Sequence, residues 1–291
     1  MTHPDLPREV VAAAVLTALR EDLGAEGDIT SDAVIPEVET GRAVIVAKAR
    51  GVLAGVPLAK ECFSRVNARF RARMEDGDTL EPGSVVAHVG GALRAILAAE
   101  RTALNFLGRL SGVATTARAF VEAVRGTDVE VRDTRKTTPG LRVLEKYASA
   151  VGGAVPHRTG LFDGVLVKDN HVTVAGSVAE AVRRAREARP GVRLICEVES
   201  PEQADEAVEA GADEVMLDNM DPDAMREAVR RVAGRALVEA SGGVTLETAA
   251  VIAATGVDAL SAGAITHAAP WLDLSLEVQE TMELPALPEE D

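Results

Sequence analysis

The chain has 291 residues and a formal net charge of −15, a balance that argues against duplex nucleic acid as a partner, because DNA selects basic faces. Hydrophobic residues make up 47% but aromatic residues only 2%, so the core must be built from Ala, Val and Leu, which suits helices packed on parallel strands and leaves little for base stacking. No apolar run approaches the roughly 18 residues that span a bilayer, MTHPDLPREV lacks the apolar stretch of a leader, and Cys62 and Cys196 fit no metal-ligand spacing, so a cytoplasmic protein with two core thiols is expected.

Residues 7–23 read as a helix, with Pro7 near its first turn and Val10, Ala14, Leu16 and Leu19 on one face. In EDLGAEGDITSD, Gly24 and Gly27 break that helix, and Asp28, Thr30 and Ser31 are capping and turn residues. Residues 42–49 alternate like a strand, Pro57 opens a helix to about residue 67, residues 76–83 form a turn cluster, and residues 84–89 form another short strand. Such a mixture predicts an α+β domain. A long helical pattern begins near Leu93, with Leu97, Leu104, Leu107 and Leu110 inward. Arg101 lies on it, and the pattern leaves it either a surface cation or a site residue.

From Asp128 the grammar changes. Short β-branched runs (129–132, 164–167, 192–198, 214–217, 236–239 and 257–260) alternate with helical patterns (141–150, 177–189, 201–210, 222–233 and 246–255). Ser200-Pro201 and Asp221-Pro222 are cap-then-Pro helix starts. This βα repetition predicts a parallel sheet with right-handed crossovers, and with six clear strands rather than eight, an irregular or incomplete α/β barrel. After Thr266 the repetition stops. HAAPWLDLSLEV reads as an amphipathic strand or helix able to rejoin the first domain, and ELPALPEED as a frayed tail.

Polar residues and glycines recur where these strands end: Arg135, Lys168, Glu197, Asp218, Ser241-Gly242-Gly243, and Ser261 with Gly263. The carboxyl ends of barrel strands form one rim, and the rim carries the site. The small residues of EASGG and LSAGAIT let backbone N–H groups approach a phosphate, although each cluster alone is also an ordinary tight turn. Glu197 and Asp218 suit a hard cation such as Mg²⁺, ribose hydroxyls, or a structural cap; Glu199, two residues on, competes with Glu197 for the role. Arg135, Lys136, His157, Arg158 and Lys168 crowd into one stretch of an acidic, Arg-biased chain, where lysines suggest a need for compact ammonium groups. His157 reads as donor or as packing. Together these residues describe a site for a polyanion, a sugar phosphate and Mg²⁺. There is no P-loop, no GxGxxG opening the βα region and no GxSxG elbow.

The segments EDLGAEGDITS, ERTALNFLGRLSGVAT, DTRKTTPGLR, HRTGLFDGVLVKDNH, CEVES, VMLDN, EASGG and SAGAITH lie in this order along a stretch from about residue 20 to 278. On them the chain resembles the quinolinate phosphoribosyltransferase family, also called carboxylating nicotinate-nucleotide pyrophosphorylases. DTRKTTPGLR and KDNH at this spacing are specific; EASGG alone is not. Gly108 departs from the family, which often has Gln there. The resemblance implies a homodimer of two-domain subunits: an α/β sandwich over 1–112, an irregular α/β barrel over 113–266, and a C-terminal segment, 267–291, returning to the sandwich. The activity it implies is transfer of phosphoribose from phosphoribosyl pyrophosphate to quinolinate with Mg²⁺, giving nicotinate mononucleotide, carbon dioxide and pyrophosphate for NAD biosynthesis.

Carried over residue by residue, Arg135, His157, Arg158 and Lys168 hold the quinolinate carboxylates, joined by the partner subunit's Arg101. Lys136 also serves the anionic site and His267 the pyrophosphate end. Glu197 and Asp218 hold the ribose hydroxyls and Mg²⁺, and with Lys168 form the catalytic set. Ser241, Gly242, Gly243 and Gly263 cradle the 5′-phosphate. The chemistry needs no protein nucleophile, because ribosyl transfer at C1 passes through a cation-like centre that positioning and electrostatics can serve. Two rivals are a related enzyme acting on another aromatic acid and a non-catalytic sensor of phosphoribosyl ligands. The intact Glu197/Asp218 pair beside a full cationic set argues against the sensor.

Overall fold

In the computed structural model, which describes residues 5–279, the chain opens with α1 (Arg8–Leu23) and α2 (Ile29–Val34). It continues through β1 (Thr40–Ala47), β2 (Gly51–Val52), α3 (Val56–Arg65), β3 (Arg69–Ala72), β4 (Thr79–Leu80), β5 (Val85–Ala92) and the long α4 (Leu93–Ala123). Then come β6 (Glu130–Arg132), α5 (Arg142–Val151), β7 (Val165–Val167), α6 (Asp169–Ala175), α7 (Val178–Ala188), β8 (Leu194–Val198) and α8 (Pro201–Glu209). β9 (Glu214–Asp218), α9 (Pro222–Val232), β10 (Leu237–Ser241), α10 (Leu246–Ala253), β11 (Ala259–Ser261), α11 (Ala264–His267) and β12 (Leu274–Gln279) complete the order. The segment ELPALPEED lies outside the described residues. Two compact units result, one of Asp5–Ala114 with Pro270 onward, the other built on Thr115–Ala269.

The first unit is an antiparallel sheet in the order β12-β1-β5-β3 with helices beside it. Central β1 pairs Ile45 with Leu276 on one side and with Ala87 on the other, and every residue from Ala43 to Ala47 is buried. α3 buries Leu58, Ala59, Cys62 and Phe63, and Phe63 stacks on Phe70 of β3 with ring centroids 5.7 Å apart. The returning segment lies directly on α4. The Leu272 N–H donates to the Gly108 carbonyl at 3.0 Å, and a Cβ on Gly112 would stand 1.9 Å from the Pro270 carbonyl oxygen. Gly108 is thus small because another backbone runs over it.

Three readings change here. Asp28 is a capping residue, as expected, but what it caps is a helix that was not: its Oδ1 accepts from the N–H groups of Thr30 at 3.1 Å and Ser31 at 3.0 Å and starts α2. The cluster at 76–83 contains β4, and its Asp76 reaches back to accept from the Gly55 and Val56 N–H groups at 3.0 and 2.9 Å, capping α3 from a distance. β3 was not expected, because RFRA is mostly exposed and has no buried alternation to read.

In the second unit six parallel strands form one ladder in the order β6-β11-β10-β9-β8-β7. A bridge from Arg132 to Val155 extends it past β6, and no ladder among the described residues joins that edge to β7. Helices start where short polar caps stand: Ser177, Ser200 and Asp221 each accept from N–H groups of the first turn, and Pro follows the latter two. Register and the two-residue period place Arg132, Glu197, Glu214, Asp218, Glu239, Ser241 and Ser261 on one face of the sheet. The opposite face, with Cys196, Val198, Val215, Leu217, Val238 and Ala240 buried, packs against the helices. No helix among the described residues is long and apolar enough to cross a membrane.

Candidate active site

The rim begins at Lys168, the residue after β7, which caps α6; the His171 Nδ1 accepts its backbone N–H at 2.9 Å. That helix was missed in the sequence because KDNH carries no apolar stripe. The Lys168 ammonium pairs with the Glu197 carboxylate, with the lysine side chain 42% and the glutamate 14% exposed. Glu199 is exposed instead, and its N–H donates to Gln203 Oε1 at 2.8 Å, so Glu197 is the carboxylate on the site face. On the next strands, Asp218 is in register with Ser241.

Asn219 follows Asp218 in the left-handed region, at φ 53°, and its N–H donates to the Ser241 carbonyl at 3.0 Å. Its side chain lies so close over Gly242 that a Cβ there would be 2.4 Å from Asn219 Oδ1, and Gly242 itself has φ 79°. Both constraints demand glycine. Asn219 is a rim residue to which the sequence reading gave no role, though it was in view in VMLDN. At the last strand end, a Cβ on Gly263 would be 3.1 Å from His267 Nε2 and 3.1 Å from Lys136 Cδ. Thr266 Oγ1 donates to the Lys136 carbonyl at 2.7 Å, fixing that loop. Lys136, Gly263 and His267, far apart in sequence, therefore meet at one point of the rim.

The cationic side is built from two guanidiniums. Arg135 Nε is buried with no hydrogen-bond partner. Burial and the like charge of Arg135 hold Arg158 below its ordinary value, against the opposing pull of Asp163 and Glu197. Arg158 donates to the Gly164 carbonyl at 3.3 Å. Asp163 organises the turn by accepting from the N–H groups of Thr159 at 2.5 Å and Gly160 at 3.0 Å. His157 turns inward. Its N–H donates to Asp133 Oδ1 at 2.9 Å, its Nδ1 accepts the Arg158 N–H at 2.7 Å, and its Nε2 lies 3.5 Å from Glu239 Oε2. Asp133 is itself paired with buried Lys146; burial raises its carboxyl above the usual range despite that partner.

Beneath the rim is a charged layer that the sequence reading did not foresee. Arg132 donates to Glu214 and to Glu239 at 2.6 Å each and to Glu130 at 2.8 Å, while Arg193 pairs with Glu214 from the edge. Burial opposes the Arg132 charge, but Glu214 and Glu239 more than restore it. Burial also opposes the Glu239 charge, yet His157 and Glu214 draw that carboxyl down to about 2. Burial and Glu239 push Glu214 up. Arg101 belongs to the other compact unit, exposed on α4.

Paired carboxylates, crowded cations and two glycine-rich loops at the carboxyl ends of a parallel α/β sheet define a class: enzymes that hold a sugar phosphate beside a second anionic substrate. Residues 28–111 match the family model of the quinolinate phosphoribosyl transferase N-terminal domain, and residues 113–277 that of its C-terminal domain. The nicotinate-nucleotide pyrophosphorylase [carboxylating] of Mycobacterium leprae is 45% identical over 268 residues, covering 90% of this chain and 94% of the relative. A probable enzyme of the same name from Bacillus subtilis is 43% identical over 261 residues, covering 89% and 90%. The solved nicotinate-nucleotide pyrophosphorylase of Francisella tularensis superposes with a TM-score of 0.90 at 35% identity, covering 94% of this chain and 98% of that one. The chain belongs to the quinolinate phosphoribosyltransferase family.

Proposed function

We propose that the chain transfers phosphoribose from phosphoribosyl pyrophosphate to the ring nitrogen of quinolinate and releases pyrophosphate and carbon dioxide, leaving nicotinate mononucleotide for NAD biosynthesis. The observation that carries this reading is the pairing of Arg135, with its buried unpartnered Nε, and Arg158, weakened by that neighbour. Two like charges so placed call for a dianion, and a guanidinium fork matches a carboxylate. Arg135, Arg158 and Lys168 hold the two carboxylates and aim the pyridine nitrogen at ribose C1. Ser241, Gly242, Gly243 and Gly263 present backbone to the 5′-phosphate, with Asn219 lying over Gly242. Lys136 and His267 meet the departing pyrophosphate.

Glu197 and Asp218 offer only hard oxygen donors, which fits Mg²⁺. These two carboxylates would hold the ion together with the substrates. Bound there, it would supply neutralisation of the charge on the leaving pyrophosphate. The protein's own task is orientation: C1 loses pyrophosphate as the ring nitrogen takes its place, and fixed groups stabilise the charges as they develop. The C2–carboxyl bond then breaks, its electron pair remains at C2 beside the quaternised nitrogen and the Lys168 ammonium, and a solvent proton replaces the lost group. The subunits pair, and the partner subunit's Arg101 completes the cationic set. Carboxyl-labelled quinolinate tests the reading. Labelled carbon dioxide should appear only with phosphoribosyl pyrophosphate and Mg²⁺ present, in step with nicotinate mononucleotide; release without the co-substrate, or none at all, contradicts it.

A further inference from the structure

One face of α5 reaches both of the segments that carry the cations of the site. Arg142, Glu145 and Lys146 stand at i, i+3 and i+4, so their side chains lie together on one side of the helix. Buried Glu145 accepts from the Thr138 N–H at 3.0 Å and from the Thr138 hydroxyl at 2.7 Å. Buried Lys146 pairs with Asp133, whose Oδ1 accepts the His157 N–H at 2.9 Å. These two side chains hold the segments 133–138 and 157–159 from within the fold.

Arg142, half-buried at the start of α5, joins the same two segments to each other. Its Nε donates to Thr137 Oγ1 at 3.0 Å, and its Nη1 donates to the Thr159 carbonyl at 3.3 Å. The Thr137 hydroxyl passes the connection on to the Arg135 carbonyl at 3.5 Å, which also accepts the Thr137 N–H at 2.9 Å. One guanidinium therefore links the backbone of Arg135 to the backbone next to Arg158. Among the described residues no carboxylate pairs with Arg142, so these hydrogen bonds fix its place. Arg135 and Arg158 repel each other, and the link opposes their separation. His157 lies in the second segment, and its buried Nε2, without a hydrogen-bond partner, stays open to the substrate.

We propose that Arg142 is a positioning residue for substrate recognition, a strap that sets the spacing of the Arg135 and Arg158 guanidiniums to match two carboxylates on one ring. The inference rests on the reading of Arg135 and Arg158 as quinolinate ligands. The task needs a planar fork, because the two acceptors stand in different directions and a single ammonium on a flexible stem does not hold both in fixed geometry. Lys136, although next to Thr137, is anchored separately: Thr266 Oγ1 donates to its carbonyl at 2.7 Å. The strap therefore bears on the carboxylates and leaves the pyrophosphate end alone.

The test is calorimetry of both substrates on the full chain. Arg142→Ala should weaken quinolinate about tenfold, the scale of one lost hydrogen bond to a charged group, and leave phosphoribosyl pyrophosphate within about twofold. Arg142→Lys, which keeps the charge and loses the fork, should bind quinolinate nearly as weakly as the alanine variant. Thr137→Val, which removes the acceptor and keeps the shape, should weaken quinolinate about fivefold, and the double variant Arg142→Ala/Thr137→Val should fall well short of the product of the single losses. Wild-type affinity in Arg142→Lys would make the residue a mere nearby charge and overturn the proposal. Losses that multiply in the double variant would do the same, since Arg142 would then act on the substrate without Thr137. So would a lowered Tm with unchanged quinolinate affinity, or equal weakening of both substrates. Should Arg142→Ala not fold, Thr137→Val decides alone, and unchanged affinity in it overturns the proposal. A wild type that binds no quinolinate overturns the functional reading beneath; a wild type that binds it, with variants that bind it equally well, overturns the strap alone.

Discussion

Lys168 is compact where its neighbours are forks. Its ammonium pairs with Glu197 on the rim, where the proposed reaction brings the two substrates together, and a guanidinium cannot fill the same space with the same reach. Lys168→Arg should therefore lower turnover about 10²-fold through misplacement of the reacting groups, with Tm unchanged; activity near wild type with a lowered Tm would make the lysine structural. Asp218→Ala should weaken phosphoribosyl pyrophosphate far more than quinolinate by calorimetry, and equal weakening would contradict the division of roles. The two cysteines belong to the opposite category. Burial lifts both thiols to about 12, so almost no thiolate exists near neutral pH. Neither should react with a maleimide at pH 8 until the protein is unfolded, and rapid labelling of native protein would refute their place in the core.

At the scale of elements, α4 and the returning segment make the sharpest demand. Gly112→Ala puts a methyl 1.9 Å from a carbonyl oxygen, and Gly108→Ala one at 3.0 Å from another. Denaturant titration should show the first destabilising by about 1–3 kcal/mol or more and the second by clearly less; the reverse order would mean that the segment does not lie on the helix. The βα elements were legible because most of the strands are short β-branched runs and α7, α8, α9 and α10 begin on the caps Ser177, Ser200, Asp221 and Thr245, twice followed by Pro. α6 and α2 were not, since their starts depend on a histidine ring and an aspartate bonded to the backbone rather than on apolar periodicity. The rim residues were legible as polar punctuation at strand ends. Glu214 and Glu239 were not, because a lone glutamate in a strand reads as solvent-facing until the register places it against Arg132. The meeting of Lys136 with His267 over Gly263 follows from the pairing of β6 with β11, strands far apart in the chain, and no local pattern announces it.

At the scale of the whole molecule, an acidic chain with a charge of −15 must draw dianionic and more highly charged substrates into a small cationic patch. The proposed dimer adds one more cation to it. Arg101→Ala and Lys168→Ala homodimers should each be nearly inactive, yet refolding them together should restore about a quarter of wild-type activity per site, because random pairing makes half the dimers mixed and each mixed dimer holds one intact site. A mixed sample as inactive as its parents, with heterodimers demonstrated, would place Arg101 outside the partner's site. The double variant refolded with either single one is the control, since it can build no intact site.

The central claim is that this rim reads two carboxylates. Quinolinate carries both and nicotinate one, so nicotinate would leave a buried cation unpaired at a cost of several kcal/mol. The direct measurement is kcat/KM for each acid with phosphoribosyl pyrophosphate and Mg²⁺ under one set of conditions. The account predicts that quinolinate is favoured by about 10³-fold or more; comparable values for the two acids would contradict it.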